Sequence, residues 1–367
     1  MKKSLLAVAV LGAFAANAMA ADVTLYGKVD TGFMYSNTKK GDAKAVNKFE
    51  MKSGMAAGSR WGLKGSEDLG NGYKVGFLLE SAFDSDTGVS KDRLFHREAS
   101  VSVSGPFGTV YAGRMGGVGG GSASSPISLW GMGSAFGTTW GNNALTVTLQ
   151  SNADRYDNSL AYTTPVFGGF QAIAFYSMGG DSVKNTSGKE NSEEVDRYYG
   201  LGGKYINGPI AVFGVVDQMN YTNGTNYDNK DSLGVTIGGS YDFGVAKVYA
   251  TAQYFDNLMA GNSISKAGLA VKGGVGQQEG FAVSLSANIP LAGGNFKAQL
   301  GYADAEDIEN SDLEAKRYVG GIGYQYPLSK RTFVYAGASY MHDQHENKSS
   351  KYKEKTAQVF AGLNHSF

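Results

Sequence analysis

The chain contains few of the side chains that catalyse reactions or bind metals. It has four histidines and no cysteine among 367 residues. The most suggestive spacing is His342-Asp343-Gln344-His345, two imidazoles three residues apart beside a carboxylate. A metal site needs three or four ligands, and no further cluster of ligands accompanies this one. We expect it to lie in a charged external loop exposed to solvent, and we predict no metal site.

Other site chemistry has as little support. A hydrolase needs a nucleophile or an activated water beside a histidine and an acid. No segment groups such residues, so we expect no enzymatic activity. The glycine-rich stretch at 116–121 lacks the Lys-Ser/Thr pair and the following helix of a phosphate-binding loop. We predict no cofactor.

The N-terminus has the three parts of a secretory signal peptide. Lys2 and Lys3 precede an apolar run of about twelve residues at 5–16, and Ala18-Met19-Ala20 follows it. A membrane-spanning anchor is the alternative, but it needs roughly 20 apolar residues. We therefore predict that residues 1–20 are cleaved and that residues 21–367 form a single domain.

Charge and composition exclude some classes of protein. The predicted mature chain has 31 basic and 33 acidic residues, a net charge near −2, which leaves no basic surface typical of nucleic-acid binding. Without cysteine, an exported chain forms no disulfides. The mean hydropathy of −0.24 resembles that of a soluble protein. A transmembrane β-barrel has a similar average, because only alternate residues face lipid.

Apolar and polar residues alternate along much of the chain. In the segment 281–289, every odd position is apolar, and the residues between them are small or polar. The segments with the same alternation are 73–80, 233–241 and 246–254. A period of two predicts strands whose two faces meet different surroundings. Small and polar residues on one face suit a water-filled interior.

Counting such runs predicts about sixteen strands, each of roughly ten residues, the length that crosses a membrane at a tilt. They start near Val23, Gly58, Tyr73, Arg93, Phe107, Asp154, Gly169, Arg197, Pro209, Ser232, Gly244, Glu279, Asn295, Ala315, Arg331 and Lys355. An even number places both termini on the same side of the membrane.

The connections alternate between short and long. Short ones contain the glycine and asparagine of tight turns, as at 68–72 and 207–209. Long polar ones are predicted at 36–57, 180–196, 256–278 and 342–354. This asymmetry is typical of outer-membrane barrels, whereas the alternatives, a soluble β-sandwich or β-helix, do not need it. The terminal Phe367 fits a closing strand. We predict an all-β fold, a transmembrane antiparallel up-and-down β-barrel.

Several segments resemble the trimeric general porins of Gram-negative outer membranes, and the resemblance covers nearly the whole mature chain. The most specific segments are VTLYGKVD at 23–30, GSRWGLKGSEDLGNG at 58–72, FGTVYAGR at 107–114, RYDNSLAY at 155–162 and GLNHSF at 362–367. The resemblance implies sixteen antiparallel strands, a homotrimer with three separate pores, and a third loop folded inward. It also implies contact with outer-membrane lipid and lipopolysaccharide, and passage of ions and small hydrophilic solutes.

The segment 115–153 is the longest without clear membrane alternation. Its apolar and aromatic residues, such as Leu129, Trp130 and Phe136, suit packing against the inner wall of a barrel better than exposure at a tip. We therefore interpret 115–153 as the pore-constricting third loop. A mobile external loop is the alternative.

The resemblance implies a ladder of arginines on the wall that faces this loop. Carried over residue by residue, the candidates are Arg60, Arg97 and Arg155. Strand phase independently predicts that Arg60 points inward, because it alternates with the apolar Trp61 and Leu63. The simpler interpretation is that these arginines only pair with carboxylates.

Strand alternation predicts opposite directions for the other two arginines. Arg155 alternates with Tyr156 and Leu160, which predicts that it points inward. Arg97 shares the phase of Val101 and Val103, which predicts that it points outward. Either a bulge resets the phase at Arg97, or this residue lies above the membrane.

Porins of this type usually place acidic loop residues opposite the arginines. The segment 115–153 contains no Asp, Glu, Lys, Arg or His. Acidic partners must then come from the wall, where Glu80 and Asp157 have the inward phase. Arginines that face a neutral loop should attract anions over roughly 8 Å, so we expect a weak to moderate anion preference.

We therefore predict a passive aqueous channel for ions and small hydrophilic solutes in the outer membrane. A substrate-specific channel would have a saturable binding site, and a structural or adhesive barrel would have a plugged lumen. These alternatives share the fold, so a transport measurement must distinguish them.

Overall fold

The computed structural model describes residues 23–120, 125–180, 189–222, 229–259, 276–347 and 350–367. The predicted signal peptide lies outside the described residues. So do most of the predicted loop 256–278 and half of the loop 180–196. No helix in the described part is long and apolar enough to span a membrane.

The described residues form one antiparallel sheet of 17 strands. The strands are β1 (Thr24–Lys40), β2 (Val46–Ser53), β3 (Arg60–Gly70), β4 (Tyr73–Ala82), β5 (Glu98–Gly105), β6 (Gly108–Gly116), β7 (Arg155–Thr163), β8 (Phe170–Ser177), β9 (Arg197–Asn207), β10 (Ile210–Asn220), β11 (Ser232–Asp242), β12 (Lys247–Met259), β13 (Gln277–Leu291), β14 (Gly294–Asp307), β15 (Glu314–Pro327), β16 (Thr332–Asn347) and β17 (Ser350–Ser366).

The sheet closes on itself, since β1 pairs with β17 on one side and with both β2 and β3 on the other. β3 pairs with the beginning of β1 at 24–28, and β2 pairs with its later part at 31–38. β2 and β3 therefore share one position in the wall. The barrel has sixteen positions, which confirms the predicted fold.

The prediction of a loop over 36–57 is wrong for β2 and for the end of β1. β1 continues to Lys40, and β2 returns beside it. The Phe33 and Phe49 rings stack across this pair with centroids 5.7 Å apart. Such aromatic cross-strand pairs stabilise a hairpin. The residues around them are polar, so the sequence of this segment resembles that of a loop.

The two faces of the strands differ as the alternation predicts. On β13, Leu285 is 53% exposed on the outside of the barrel, whereas Ala282 on the opposite face is fully buried. Side chains on successive residues of a strand point to opposite faces. The outer face is thus apolar, and the inner face contains smaller and polar side chains.

Connections at one end are tight turns. In the turn between β3 and β4, Asn71 has a positive φ of 53°, a conformation that asparagine tolerates better than most residues. Longer connections lie at the other end, the predicted external side.

The predicted loop at 342–354 is wrong. β16 continues to Asn347 and β17 begins at Ser350. His345 is buried on the inner face, and Asp343 forms an ion pair of 2.6 Å with Arg317 of β15. The inward residues of these strands are polar, so the sequence predicted a loop. In the structure they form hydrogen bonds and ion pairs within the wall. The described residues contain no group of three or more side chains suited to a metal ion.

The third loop connects β6 to β7 and lies inside the barrel. It contains a 3-10 turn at Trp130–Met132 and a short helix, α1, at Leu145–Thr148. Its side chains form the main apolar core together with the inner wall. The loop residues that are almost completely buried there are Val118, Ile127, Leu129, Trp130, Leu145 and Leu149. Apolar burial of this extent explains why the loop folds inward.

Candidate functional site

The inner face of one part of the wall contains a group of charged residues. On β1, Tyr26, Lys28 and Asp30 lie on the opposite face from the exposed Leu25 and therefore point inward. Lys28 is the register partner of Arg60 at the start of β3. Two cations thus lie side by side on the inner face.

Glu80, near the end of β4, is the centre of this group. Its Oε1 lies 2.5 Å from Nε of Arg97, and its Oε2 lies 3.6 Å from Nε of Arg60. The Tyr26 hydroxyl donates to the same Oε2 at 2.9 Å. Glu80 is 2% exposed. A carboxylate this buried requires paired charges and hydrogen bonds, which the two arginines and Tyr26 provide.

Arg97 points inward despite the phase of the strand that follows it. The Arg97 amide donates to the Glu80 carbonyl at 3.0 Å, although the register partner of Glu80 is Glu98. Arg97 and Glu98 therefore both lie opposite Glu80, as in a β-bulge. The bulge, and not a position above the membrane, explains the direction of Arg97.

Arg155, at the start of β7, joins the group through the backbone. Its Nε donates to the Arg97 carbonyl at 3.0 Å. Within the described ranges, no carboxylate lies within 4 Å of its guanidinium in an ion pair. The charge of Arg155 is therefore held in place without being neutralised by a direct partner.

Tyr156 points inward, so the prediction that it faces outward, opposite to Arg155, is wrong. Tyr156 is completely buried inside and stacks on Tyr198 with ring centroids 3.9 Å apart. The register between β6 and β7 shifts just after it, and Asn158 has a positive φ of 49°. A bulge of this kind reverses the phase of the residues on one side of it.

Asp157 forms ion pairs with two further arginines. It lies 2.7 Å from Nη1 of Arg93 and 2.6 Å from Nη1 of Arg114. The structure thus brings together Arg60, Arg97, Arg155 and Glu80, and it pairs Asp157 with Arg93 and Arg114. Sequence reasoning missed Arg93 and Arg114. Arg114 is the register partner of Ala99, which lies on the same face of β5 as the outward Val101. Strand alternation therefore predicted that Arg114 points outward.

Two further residues of the site were missed, although a signal for them existed. Lys28 alternates with Leu25 and has the inward phase. Glu98 shares the inward phase of Ser100 and is 1% exposed. Its Oε1 accepts a hydrogen bond of 2.9 Å from the Ser100 hydroxyl. Both residues add an ionisable group close to the arginines.

Asp30 fixes the backbone that leads into Arg60. Its carboxylate accepts hydrogen bonds from the amides of Met55 and Ala57 at 3.1 Å, from Tyr335 at 2.5 Å and from Asn364 at 2.8 Å. It is fully buried. These bonds connect the segment between β2 and β3 to the last strands of the barrel and position Arg60.

His96 lies in the connection between β4 and β5, close to the arginines. Its Nδ1 is 2.9 Å from Oδ1 of Asp92, and its carbonyl accepts a bond of 3.0 Å from Nε of Arg114. Burial lowers the pKa of His96, and the positive charge of Arg155 acts in the same direction, against the opposing effect of Asp92. The imidazole is therefore neutral at neutral pH.

The third loop covers the remaining wall. Near its start, Val118 packs against β9, and the Gly133 carbonyl accepts a bond of 2.8 Å from Thr251 of β12. Further along, the Ala135 amide donates to Ser286 of β13 at 3.0 Å, and the Asn143 amide group donates to the carbonyls of Ile322 and Ala338. The loop thus follows the wall from β9 to β16, and its tip reaches β17 and the segment before Arg60.

The tip of the loop is anchored by aromatic rings. The Trp140 ring lies 5.3 Å from those of Phe136 and Tyr335 and 6.2 Å from that of Phe360. The Lys297 ammonium lies 4.9 Å from the centre of the Trp140 ring, a cation–π contact. The lumen is therefore bounded by an arginine-rich wall on one side and by an uncharged loop on the other.

Comparisons with known proteins agree with this architecture. The family model described as Gram-negative porin matches residues 7–346. An outer membrane porin protein of Bordetella pertussis is 33% identical over 100% of both chains. Outer membrane porin protein 32 of Delftia acidovorans is 34% identical over 93% of this chain and 90% of its own.

A solved structure with the same fold is described as an anion-selective porin from Comamonas acidovorans. It has a TM-score of 0.66 and 28% identity, and the match covers 95% of this chain and 100% of that one. The fold, the inward third loop and these relatives agree. The chain belongs to the Gram-negative porin family and is an outer-membrane β-barrel that forms a passive diffusion channel.

Proposed function

We propose that this channel prefers anions and that Arg60, Arg97 and Arg155 set the preference at the constriction. The observation that carries the proposal is the distribution of charge. Three arginines and Lys28 share one wall with three carboxylates, those of Glu80, Glu98 and Asp30. The loop on the other side contributes no ionisable group. The related porin from Comamonas acidovorans, described as anion-selective, supports the proposal.

The excess positive charge acts where the pore is narrow. Low-dielectric walls focus the field of charged groups into a cleft. Salt screens charges over about 8 Å at physiological ionic strength, so a hydrated ion close to the arginines still responds to them. Porins that pair arginines with loop carboxylates have a field across the pore. Here the field attracts anions instead.

The test is the reversal potential of single channels in a planar bilayer under a salt gradient. The double variant Arg60→Gln/Arg155→Gln should lower the anion preference severalfold, because Arg97 still pairs with Glu80 and the net charge falls by two. The control Lys74→Gln/Lys330→Gln removes two charges at the end with the short turns. An unchanged reversal potential in the arginine variant would refute the assignment.

The organisation of the mature protein is part of the same proposal. Residues 1–20 are removed during export, residues 21–367 form one domain, and residues 115–153 constrict the pore. Three copies assemble into a homotrimer surrounded by lipid and lipopolysaccharide, without catalytic activity. N-terminal sequencing of the protein from outer membranes tests the cleavage after Ala20. Conductance steps in groups of three test the trimer, and single steps would contradict it.

A further inference from the structure

The pore wall formed by β3–β6 contains a cavity on the short-turn side of the arginines. Its volume is about 460 Å³, within the range of roughly 300–1,000 Å³ that ligand pockets have. Lys64 lies on the same face of β3 as Arg60, four residues closer to the tight turn between β3 and β4. A solute that has passed the constriction from outside therefore reaches this cavity. The inward side chains that line it include those of Lys64, Ser66, Leu78, Glu98, Ser102 and Tyr111.

The two charged side chains of this cavity are not neutralised by a direct partner. The Lys64 ammonium lies 5.2 Å from the centre of the Tyr26 ring, a cation–π contact that positions it and leaves its charge in place. Glu98 accepts the Ser100 hydrogen bond through Oε1, whereas its Oε2 is buried and has no hydrogen-bond partner. Within the described ranges, neither Lys64 nor Glu98 forms an ion pair. A buried oxygen without a donor costs free energy, and a donor group of a solute would remove this cost.

Lys64 and Glu98 are spaced for a small molecule that carries both charges. Lys64 is the register partner of Leu78, and Leu78 is the partner of Ser100, two residues from Glu98 on the same face. Neighbouring strands are roughly 4.8 Å apart and alternate residues roughly 7 Å apart, which places the two Cα atoms about 12 Å apart. Both side chains line the cavity between these positions. The remaining gap fits an ammonium and a carboxylate on the same carbon atom, each at hydrogen-bond distance from its partner.

The other side chains of the cavity suit the body of such a molecule. Ser66, Ser102 and Tyr111 contribute hydroxyl groups, which donate or accept hydrogen bonds as a solute requires. Leu78 contributes an apolar contact. Among the described residues that line the cavity, Lys64 and Glu98 are the charged ones. The cavity therefore has one positive and one negative position and no net charge.

We propose that this cavity binds small zwitterions of the α-amino acid class. The carboxylate of the solute accepts a hydrogen bond from the Lys64 ammonium, and its ammonium donates to Oε2 of Glu98. Binding at this position makes the flux of such solutes through the passive channel saturable, whereas the flux of other small neutral solutes rises linearly with concentration. A zwitterion has no net charge, so the inference goes beyond the proposed anion preference and does not depend on it.

The first test measures the flux of radiolabelled L-alanine into vesicles that contain the refolded mature protein. The flux of urea into the same vesicles gives the number of open pores. We expect the alanine flux of the parent to saturate. Lys64→Met and Glu98→Gln should each raise the half-saturation concentration about tenfold, or about 1.4 kcal/mol, a value at the low end for a hydrogen bond to a charged group. An unchanged half-saturation concentration in either variant would overturn the proposal.

The matched controls remove the same charges outside the cavity. Lys204→Met acts on the inner face of β9, and Glu67→Gln acts on the outer face of β3, because Glu67 alternates with the inward Ser66. Both controls should show the half-saturation concentration of the parent. If a control raises it as much as the corresponding cavity variant does, the charge of the whole protein determines the flux and the proposal fails.

The second test uses analogues of the solute on the unaltered protein, so it does not depend on the folding of a variant. N-acetyl-L-alanine lacks the ammonium, and L-alaninamide lacks the carboxylate. The flux of both should rise linearly over the concentrations at which the L-alanine flux saturates. If N-acetyl-L-alanine saturates at the same concentration as L-alanine, the cavity is a site for anions and the proposal fails. Reversal potentials of the arginine variants test the anion preference separately, so the two proposals can fail independently.

Discussion

Arg155 and Arg97 belong to the same group but hold their charges differently. Arg97 is an ion-pair partner of the buried Glu80 at 2.5 Å, whereas Arg155 is bound through a backbone carbonyl. Removing one partner of a buried pair leaves an uncompensated charge, at a cost of about 3 kcal/mol or more. The two side chains should therefore differ in what their loss does to stability and to selectivity.

For Arg155→Gln we expect a two- to fivefold lower anion-to-cation permeability ratio with nearly unchanged stability, because a unit charge near a Debye length away contributes about 0.5–1 kcal/mol. For Arg97→Gln we expect a clear loss of stability as well. Reversal potentials and thermal unfolding of both variants check this. Equal destabilisation by the two substitutions would contradict the distinction.

Asp30 contributes more to the stability of the fold than to the ion selectivity of the pore. Its four hydrogen bonds connect β1 to the segment before Arg60 and to the last two strands. Asp30→Asn keeps the shape but replaces an acceptor oxygen by a donor group, which faces other donors. We expect a loss of about 2–4 kcal/mol. Unfolding in urea measures it, with the exposed Asp42→Asn as the control that should not differ from the parent.

The pH dependence of the pore depends on which groups titrate. Arginine keeps its charge throughout the physiological range. Burial lowers the pKa of His96 below its ordinary value near 6.5. The neutral imidazole therefore contributes fully to the stability of the fold above pH 6.5, and this contribution is lost as the pH falls. We therefore expect His96→Gln to show the reversal potential of the parent at both pH 8 and pH 6.5. A stronger anion preference at pH 6.5 that His96→Gln abolishes would refute this.

At the scale of elements, the third loop keeps its path through anchors to the wall. Trp140 is 4% exposed among Phe136, Tyr335 and Phe360. Its replacement by alanine leaves a cavity that costs about 3–5 kcal/mol at a well-packed site. The cost falls on the loop tip and not on the hydrogen-bonded barrel. The loop should therefore move before the barrel unfolds.

We expect Trp140→Ala to give larger and noisier single-channel conductance, with a barrel that still shows heat-dependent gel mobility. The control is Trp61→Ala on β3, whose ring contacts Phe95 and not the loop. It should leave the conductance unchanged. Identical conductance traces for Trp140→Ala and the parent would show that this ring does not anchor the constriction.

The strands could be predicted from the sequence because their cause is local. Residues such as Leu285 and Ala282 alternate because one face meets lipid and the other meets the interior. β2 and the outer end of β16 were missed, because polar residues on a paired hairpin resemble those of a loop. The phases of Arg97 and Tyr156 failed where bulges shift the pairing, and the hydrogen bonds that define a bulge are not visible in a sequence.

The path of the third loop could be predicted only in outline. Its apolar residues indicated that it packs inside. Which strands it follows depends on contacts across the barrel, such as Asn143 against Gly321, where an added Cβ would clash with Oδ1 of Asn143. A glycine in the wall and an asparagine in the loop fit each other only in three dimensions. Asp157 and Glu80 likewise share a phase in the sequence, but Asp157 pairs with Arg93 and Arg114, whereas Glu80 pairs with Arg60 and Arg97.

At the scale of the whole molecule, the constriction lies between a charged wall and a third loop that has no charged residue. The arginines, their carboxylates and Lys28 belong to β1 and the strands and connections from β3 to β7. The loop that covers the wall from β9 to β16 is neutral. Selectivity therefore depends on the balance of charge on one wall. A charge added to the loop should change it without altering the arginines.

Thr139 offers a place to test this arrangement. It is exposed on the third loop, and its hydroxyl donates to the Ala56 carbonyl at 3.1 Å, four residues before Arg60. Thr139→Glu puts a carboxylate opposite the arginine wall and should lower the anion-to-cation permeability ratio about twofold, as expected for a unit charge roughly 8 Å from the ion. Asn207→Asp, in an exposed turn, adds the same charge away from the constriction and should leave the reversal potential unchanged. If both variants shift the potential equally, the net charge of the protein determines selectivity; if only Thr139→Glu shifts it, the charge at the constriction does.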